Sequence, residues 1–279
     1  MGFPAIIGFL FGGFTVFFAF LAVFAFSPEI SQLISPIVVT VLKDVGGPVA
    51  AGFGGAMAGA GCSYFFQKKT EKANEVKADF SAVHRTVIHL TSQLNDLFSI
   101  KKYNIYPVRD SKIRFLEITK IPSNPGVTDR IDPRIIDIAL SMNDTVTIDT
   151  IYLAQARYRA CFENFSNRNG SLDEYRATLK ASNLGKAGAH TLCQLGETVG
   201  EGQIIALYTM TEQMIEVVDE ALQSLTESLE LVSGILEKKH KGTGALTLKM
   251  NTSKGAEYLE KMPSPYFDAE SLRAYLRAC

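Results

Sequence analysis

With 279 residues and a net charge of −1, the chain has room for one or two domains and no electrostatic reason to hold nucleic acid or an acidic substrate. The near-neutral total hides an uneven placement: the first charged residue is Glu29, and Val45–Gln67 is a second uncharged run, of 23 residues. Both runs are long enough for the ~20 apolar residues with which a helix crosses a bilayer core, which argues against an ordinary soluble chain.

The first run contains nine of the eighteen phenylalanines and predicts a membrane span over about 4–26. A secretory signal would begin with a positive segment and keep a shorter apolar part, and an N-myristoylation signal would need Ser or Thr where Ile6 stands. The connector 27–44 carries Glu29, Lys43 and Asp44, and within it Ile30–Leu42 is too short for a further span. It reads as an interfacial or partly re-entrant helix. A second span follows over about 46–66. Lys68, Lys69, Lys72 and Lys77 stand just beyond it, and basic residues at the end of a span mark the cytoplasmic side. Residues 1–67 are therefore expected to form a transmembrane hairpin with both termini in the cytoplasm.

The second span includes GGPVAAGFGGAMAGAGCS, residues 46–63. A phosphate-binding loop needs Gly-Lys-Ser/Thr at its end, and no lysine occurs between Asp44 and Gln67. A dinucleotide fingerprint would begin at Gly52 and Gly54, but Met57 occupies the position of its third glycine. Helix packing explains the run better. Gly47, Ala51, Gly55, Gly59 and Ser63 recur at every fourth position, with Gly52, Ala56 and Ala60 in a second row, and Gly8 and Gly12 repeat the spacing in the first span. Small residues let membrane helices approach closely. Such rows serve pairing within one chain or assembly of several chains, and the spacing does not separate the two. Pro48 suits the first turn of a helix, where its missing N–H costs nothing.

Residues 68–279 hold 27 basic and 27 acidic side chains, the balance of a soluble domain. Val76, Phe80, Val83, Val87, Leu90, Leu94 and Leu97 alternate steps of four and three, an a/d seam on a helix over about 66–100 that continues the second span. A longer seam runs through Ile204, Tyr208, Thr211, Ile215, Val218, Leu222, Leu225, Leu229, Val232 and Leu236, interrupted only by Thr211. The two are expected to pack within one bundle spanning 68–240. Between them, Asp132-Pro133 and Ser171-Leu-Asp-Glu174 read as helix starts and Gly185 as a stop. Val146–Arg168 carries Ile148, Ile151, Tyr152, Tyr158, Phe162 and Phe165 at helical spacing, and Gly200 and Gly202 break the approach to the last long helix. Residues 241–279 read as a flexible tail ending in a short helix capped by Asp268. The fold class is all-α.

Chemistry-bearing residues are sparse. His84 and His89 are five apart and so lie on different helix faces, whereas a two-histidine metal clamp wants four. His190, Cys193 and Glu197 share a face but lack a distant fourth ligand, and His240 falls in a lysine-rich stretch that reads as solvated. Asp129, Asp132, Asp144 and Asp149 sit where caps and loops use aspartate, and Arg157, Arg159 and Arg168 read as a charged outer helix face. Cys62, Cys161, Cys193 and Cys279 show no paired spacing, as expected of scattered thiols in a reducing compartment. The expectation is a non-enzymatic protein without metal or cofactor.

The order of hydrophobic hairpin, long helix, KYNIYPVRD turn (102–110) and the DPRIIDIALSMND and YLAQARYRACFENFSNRN segments (132–144 and 152–169) resembles a diffuse group of bacterial proteins with two membrane spans and a helical cytoplasmic domain. Some members of such groups are effectors of anti-phage systems, including retrons. The resemblance implies an inner-membrane effector held quiet by a protein partner, such as a reverse transcriptase with its nucleic acid, and acting on the lipid bilayer as an oligomer once released. It implies no direct nucleic-acid binding and carries no catalytic residue over. A non-toxic membrane-tethered scaffold that positions a partner is the alternative.

Overall fold

The computed structural model describes residues 16, 35–127, 130–182, 184, 190–240 and 255–278, and among these every regular element is helical. The expected first span, with Gly8 and Gly12, falls outside the described residues except for Val16. The chain divides into two units, Met1–Asn74 and Glu75–Cys279.

In the first unit, helix α1 (Pro36–Val41) passes through a π-helical turn, Leu42–Gly46, into α2 (Gly47–Ile100), which continues into the second unit. Pro48 is thus not in an opening turn, as its sequence context predicts; helical backbone begins twelve residues earlier, at Pro36. Inside a helix a proline ring collides with the carbonyl four residues back, here that of Asp44. The wider turn at 42–46 lies where that carbonyl must move aside. The pattern recurs at the other end of α2, where a π turn at Lys101–Ile105 leads into the 3₁₀ turn Tyr106–Val108, which contains Pro107.

The second unit adds α3 (Arg114–Glu117), α4 (Arg134–Ser141), α5 (Thr145–Ala181), α6 (Leu192–Val199), α7 (Glu201–Lys239) and α8 (Ala269–Arg277). Its frame is α2, α5 and α7. Gln93 and Asp96 of α2 meet Gln155 and Tyr158 of α5, in the same order along both helices, so these two run parallel. Ser228 bonds to Thr150, Arg157 to Ser224, and Arg168 to Thr211, so α7 runs antiparallel to α5. On α7, Ile204, Tyr208, Thr211, Ile215, Val218, Leu222, Leu225, Leu229, Val232 and Leu236 are all buried, and so is a second row that includes Ile205, Met214, Ala221, Ser224, Ser228 and Ile235. A seam buries one stripe; α7 buries two because it has a partner on each side. On α2, Val83, Leu90, Leu94 and Leu97 are buried, while Val76, Phe80 and Val87 are half-buried.

Several predicted boundaries move. Ser171 does not start a helix: α5 runs unbroken from Thr145 to Ala181, and Ser171 is buried in its interior beside Leu172 and Arg168. Burial of Leu172, Tyr175 and Arg168 along one helix outweighs the local capping tendency of serine and the cost of Gly170. Asp144 caps α5 by accepting from the Thr147 N–H at 3.1 Å, and Asp132 accepts from the Arg134 N–H at 3.0 Å at the start of α4. Gly200 takes φ +97, which a side chain would resist, and there closes α6 and opens α7. Gly185 lies outside the described residues.

Candidate functional site: an uncovered helix face and a buried carboxylate

Among the described residues one helix, running from Asp44 to Val108, is long and apolar enough to cross a membrane. Its 18-residue apolar window has mean hydropathy 1.2, and none of it is buried. The small residues predicted for packing in the second span lie on it. Gly47, Ala51, Gly52, Gly55 and Gly59 are all exposed, and a Cβ placed on any of these four glycines meets nothing within 4 Å. A smooth strip several turns long thus faces no described residue. Phe53 within its length, and Tyr64, Phe65 and Phe66 beyond it, are also exposed. In water such a surface would be a liability; large exposed apolar patches mark sites of contact with membrane or protein.

In the second unit α2 carries a different feature, which the apolar periodicity concealed. Asp79 is 1 % exposed. Its carboxylate accepts from Arg134 Nε at 2.8 Å and Lys239 Nζ at 2.7 Å, and His240 Nε2 stands 3.2 Å away. Burial alone would push this carboxyl up; the hydrogen bonds from Lys239 and Arg134, together with the Lys239 charge, outweigh it and hold the group below the usual carboxylate range. One acid thereby ties α2 to α4 and to the end of α7. His240, expected to be solvated, instead lies in this node with its ring stacked on Phe80, 6.3 Å between centroids. The neighbouring pair of Arg85 and Asp132 closes the same α2–α4 junction.

The arginines also depart from expectation. Arg168 is fully buried, not on an outer face. It donates to the carbonyls of Thr119, Phe115 and Ile118 and to Thr211 Oγ1, satisfying carbonyls left open where α3 ends. Thr211, the polar gap in the α7 seam, is there to receive it. Desolvation lowers the Arg168 pKa to about 10, still charged at neutral pH. Arg157 pairs with Glu220 and Ser224.

Between α2 and the 126–133 segment lies an open cleft of about 640 Å³, lined by residues that include Arg85, His89, Ser92 and Arg130. His89 faces Gln155 at 3.4 Å and His84 is exposed. His190 Nε2 lies 2.9 Å from the Leu184 carbonyl. Cys62 and Cys161 are free thiols, but Cys193 is disulfide-bonded, contrary to the scattered-thiol expectation. Among the described residues no three His, Cys, Asp or Glu side chains cluster as metal ligands would. No family model, no curated protein and no solved structure matches the chain.

Proposed function

We propose that the protein is a membrane-anchored, non-enzymatic effector that perturbs the bacterial inner membrane when a partner releases it, as in anti-phage defence. The observation that carries this reading is the uncovered small-residue face of α2 on a helix apolar enough to span a bilayer. Lipid tails give apolar side chains no reason to associate with one another, so close backbone packing is the means by which such faces pair. In this reading 4–26 forms the second arm of a hairpin, both termini face the cytoplasm, and the faces gather several copies.

The test is expression of the intact chain with membrane potential and growth followed together. Depolarisation and growth arrest are expected, and both should be lost in Gly55→Leu and Gly59→Leu at unchanged protein level. Unaltered potential at high expression, with insertion proven by carbonate extraction, would refute the effector reading and leave the tethered scaffold.

A further inference from the structure

The apolar length of α2 gives way to aromatic rings and then to cations. Tyr64, Phe65 and Phe66 are 60 %, 73 % and 70 % exposed, and the exposed Lys68, Lys69 and Lys72 follow them. The Tyr64 and Phe65 rings meet edge to face, 6.0 Å between centroids, and Lys68 Nζ lies 6.0 Å from the Tyr64 centroid. All six residues belong to the first unit. Tyrosine suits the border of a bilayer, where its ring meets hydrocarbon and its hydroxyl meets water.

The three lysines differ from cations of the second unit. There Lys101 is buried against Asp219 at 2.6 Å, and Arg134 and Lys239 share Asp79. Among the described residues Lys68, Lys69 and Lys72 pair with no acid. Glu71 is the one acid from 64 to 74, and it accepts instead from Gln67 Nε2 at 2.8 Å. At 3.6 residues per turn the three lysines fan over about 100° of the helix, with Glu71 to one side of the arc. Their depth fits a lipid headgroup. From Gly47, where α2 begins, to Gln67 is about 31 Å of helix, which matches the ~30 Å hydrocarbon core. Lys68 and Lys69 then stand about 3–5 Å beyond Phe66 along the axis, and Lys72 about 9 Å. Helical Cα–Cβ bonds tilt toward the N-terminus, so all three side chains lean back toward the apolar length, into a headgroup layer of about 5–7 Å.

We infer that Lys68, Lys69 and Lys72, with Tyr64 beside them, form a site for the phosphodiester headgroups of anionic lipids such as phosphatidylglycerol. The inference rests on the membrane reading and adds to it the class of lipid that the helix collects. Each ammonium donates to phosphate oxygens as a point charge. Phosphatidylcholine offers the same phosphate but brings a cation of its own, which the lysines repel. One lysine at such a surface favours anionic lipid about fivefold, so three lysines less one acid favour it by more than about tenfold.

The test is native mass spectrometry of the full chain, with carbonate extraction run alongside to establish insertion. The detergent-solubilised protein is incubated with equal amounts of phosphatidylglycerol and phosphatidylcholine. Phosphatidylglycerol should stay bound in about tenfold excess or more. Lys68→Gln, Lys69→Gln and Lys72→Gln together should bring the ratio close to one, since glutamine keeps the helix and removes the charge. Lys120→Gln with Lys180→Gln, two exposed lysines of the second unit, should leave it unchanged. An inserted protein that holds both lipids equally, or a triple variant with the wild-type ratio, would overturn the proposal and leave the membrane reading standing. An equal loss in the Lys120 and Lys180 control would also overturn it, because overall charge would then set the preference. A chain that carbonate strips from the bilayer would overturn both.

Discussion

Asp79 and Lys239, 160 positions apart, meet at 2.7 Å and close one end of the bundle. The carboxylate is buried while its partners are partly exposed: the Lys239 side chain at 19 % and Arg134 at 38 %. The acid is thus the member whose removal takes away the buried acceptor that Arg134 and Lys239 share. Asp79→Ala should destabilise the bundle by about 2–4 kcal/mol, measured by chemical denaturation in detergent.

The same group sets a pH dependence. Its folded-state pKa lies below the ordinary 3.8. The stability it contributes is therefore complete above about pH 4 and lost as pH falls through the folded value. Between pH 6 and pH 2.5 the wild type should lose more stability than Asp79→Asn, which has no carboxyl to titrate. Equal losses in the two proteins would remove Asp79 from the account.

Arg168→Met should cost about 2–4 kcal/mol, because the methionine fills the space but leaves the Phe115, Ile118 and Thr119 carbonyls without donors. Arg168→Lys should recover little of this, since an ammonium lacks the fork that reaches several acceptors at once. Thermal melts followed by far-UV circular dichroism would measure both.

Cys161 is fully buried, and desolvation pushes its thiol up to about 12. Reaction requires the thiolate, so at pH 8 this cysteine should resist a disulfide reagent in the native protein and react on unfolding. Mass spectrometry of alkylated peptides would read the site. Rapid native labelling would show that α5 and α7 do not stay closed around it.

Gly55→Leu and Gly59→Leu add bulk where a Cβ meets nothing within 4 Å. Neither should alter the melting of the 75–279 unit, and any change should appear in self-association. Native mass spectrometry from detergent, with melting as the control, distinguishes the two. A lowered melting temperature would mean that the face is already covered.

Local and periodic information was readable from the chain. Charge-free length marked a helix apolar enough to span a membrane, steps of four and three located α2 and α7, and aspartate at 144 and 268 capped α5 and α8. These depend on neighbours within a turn or two, and they sufficed for an all-α class. Contacts between distant positions left no such trace. Asp79, Lys101, Arg168, Asp219 and His240 look like solvated surface in sequence, because a charged side chain announces its charge but not the partner that neutralises it. The segment after 255, read as a flexible tail, is held partly through the main chain of Glu260, Met262 and Pro263, which no side-chain pattern reveals. Helix type and position were thus set by the sequence through short-range sterics and apolar spacing. Which polar groups are buried, and what they hold together, was decided only when packing brought residues far apart in the chain into one desolvated place.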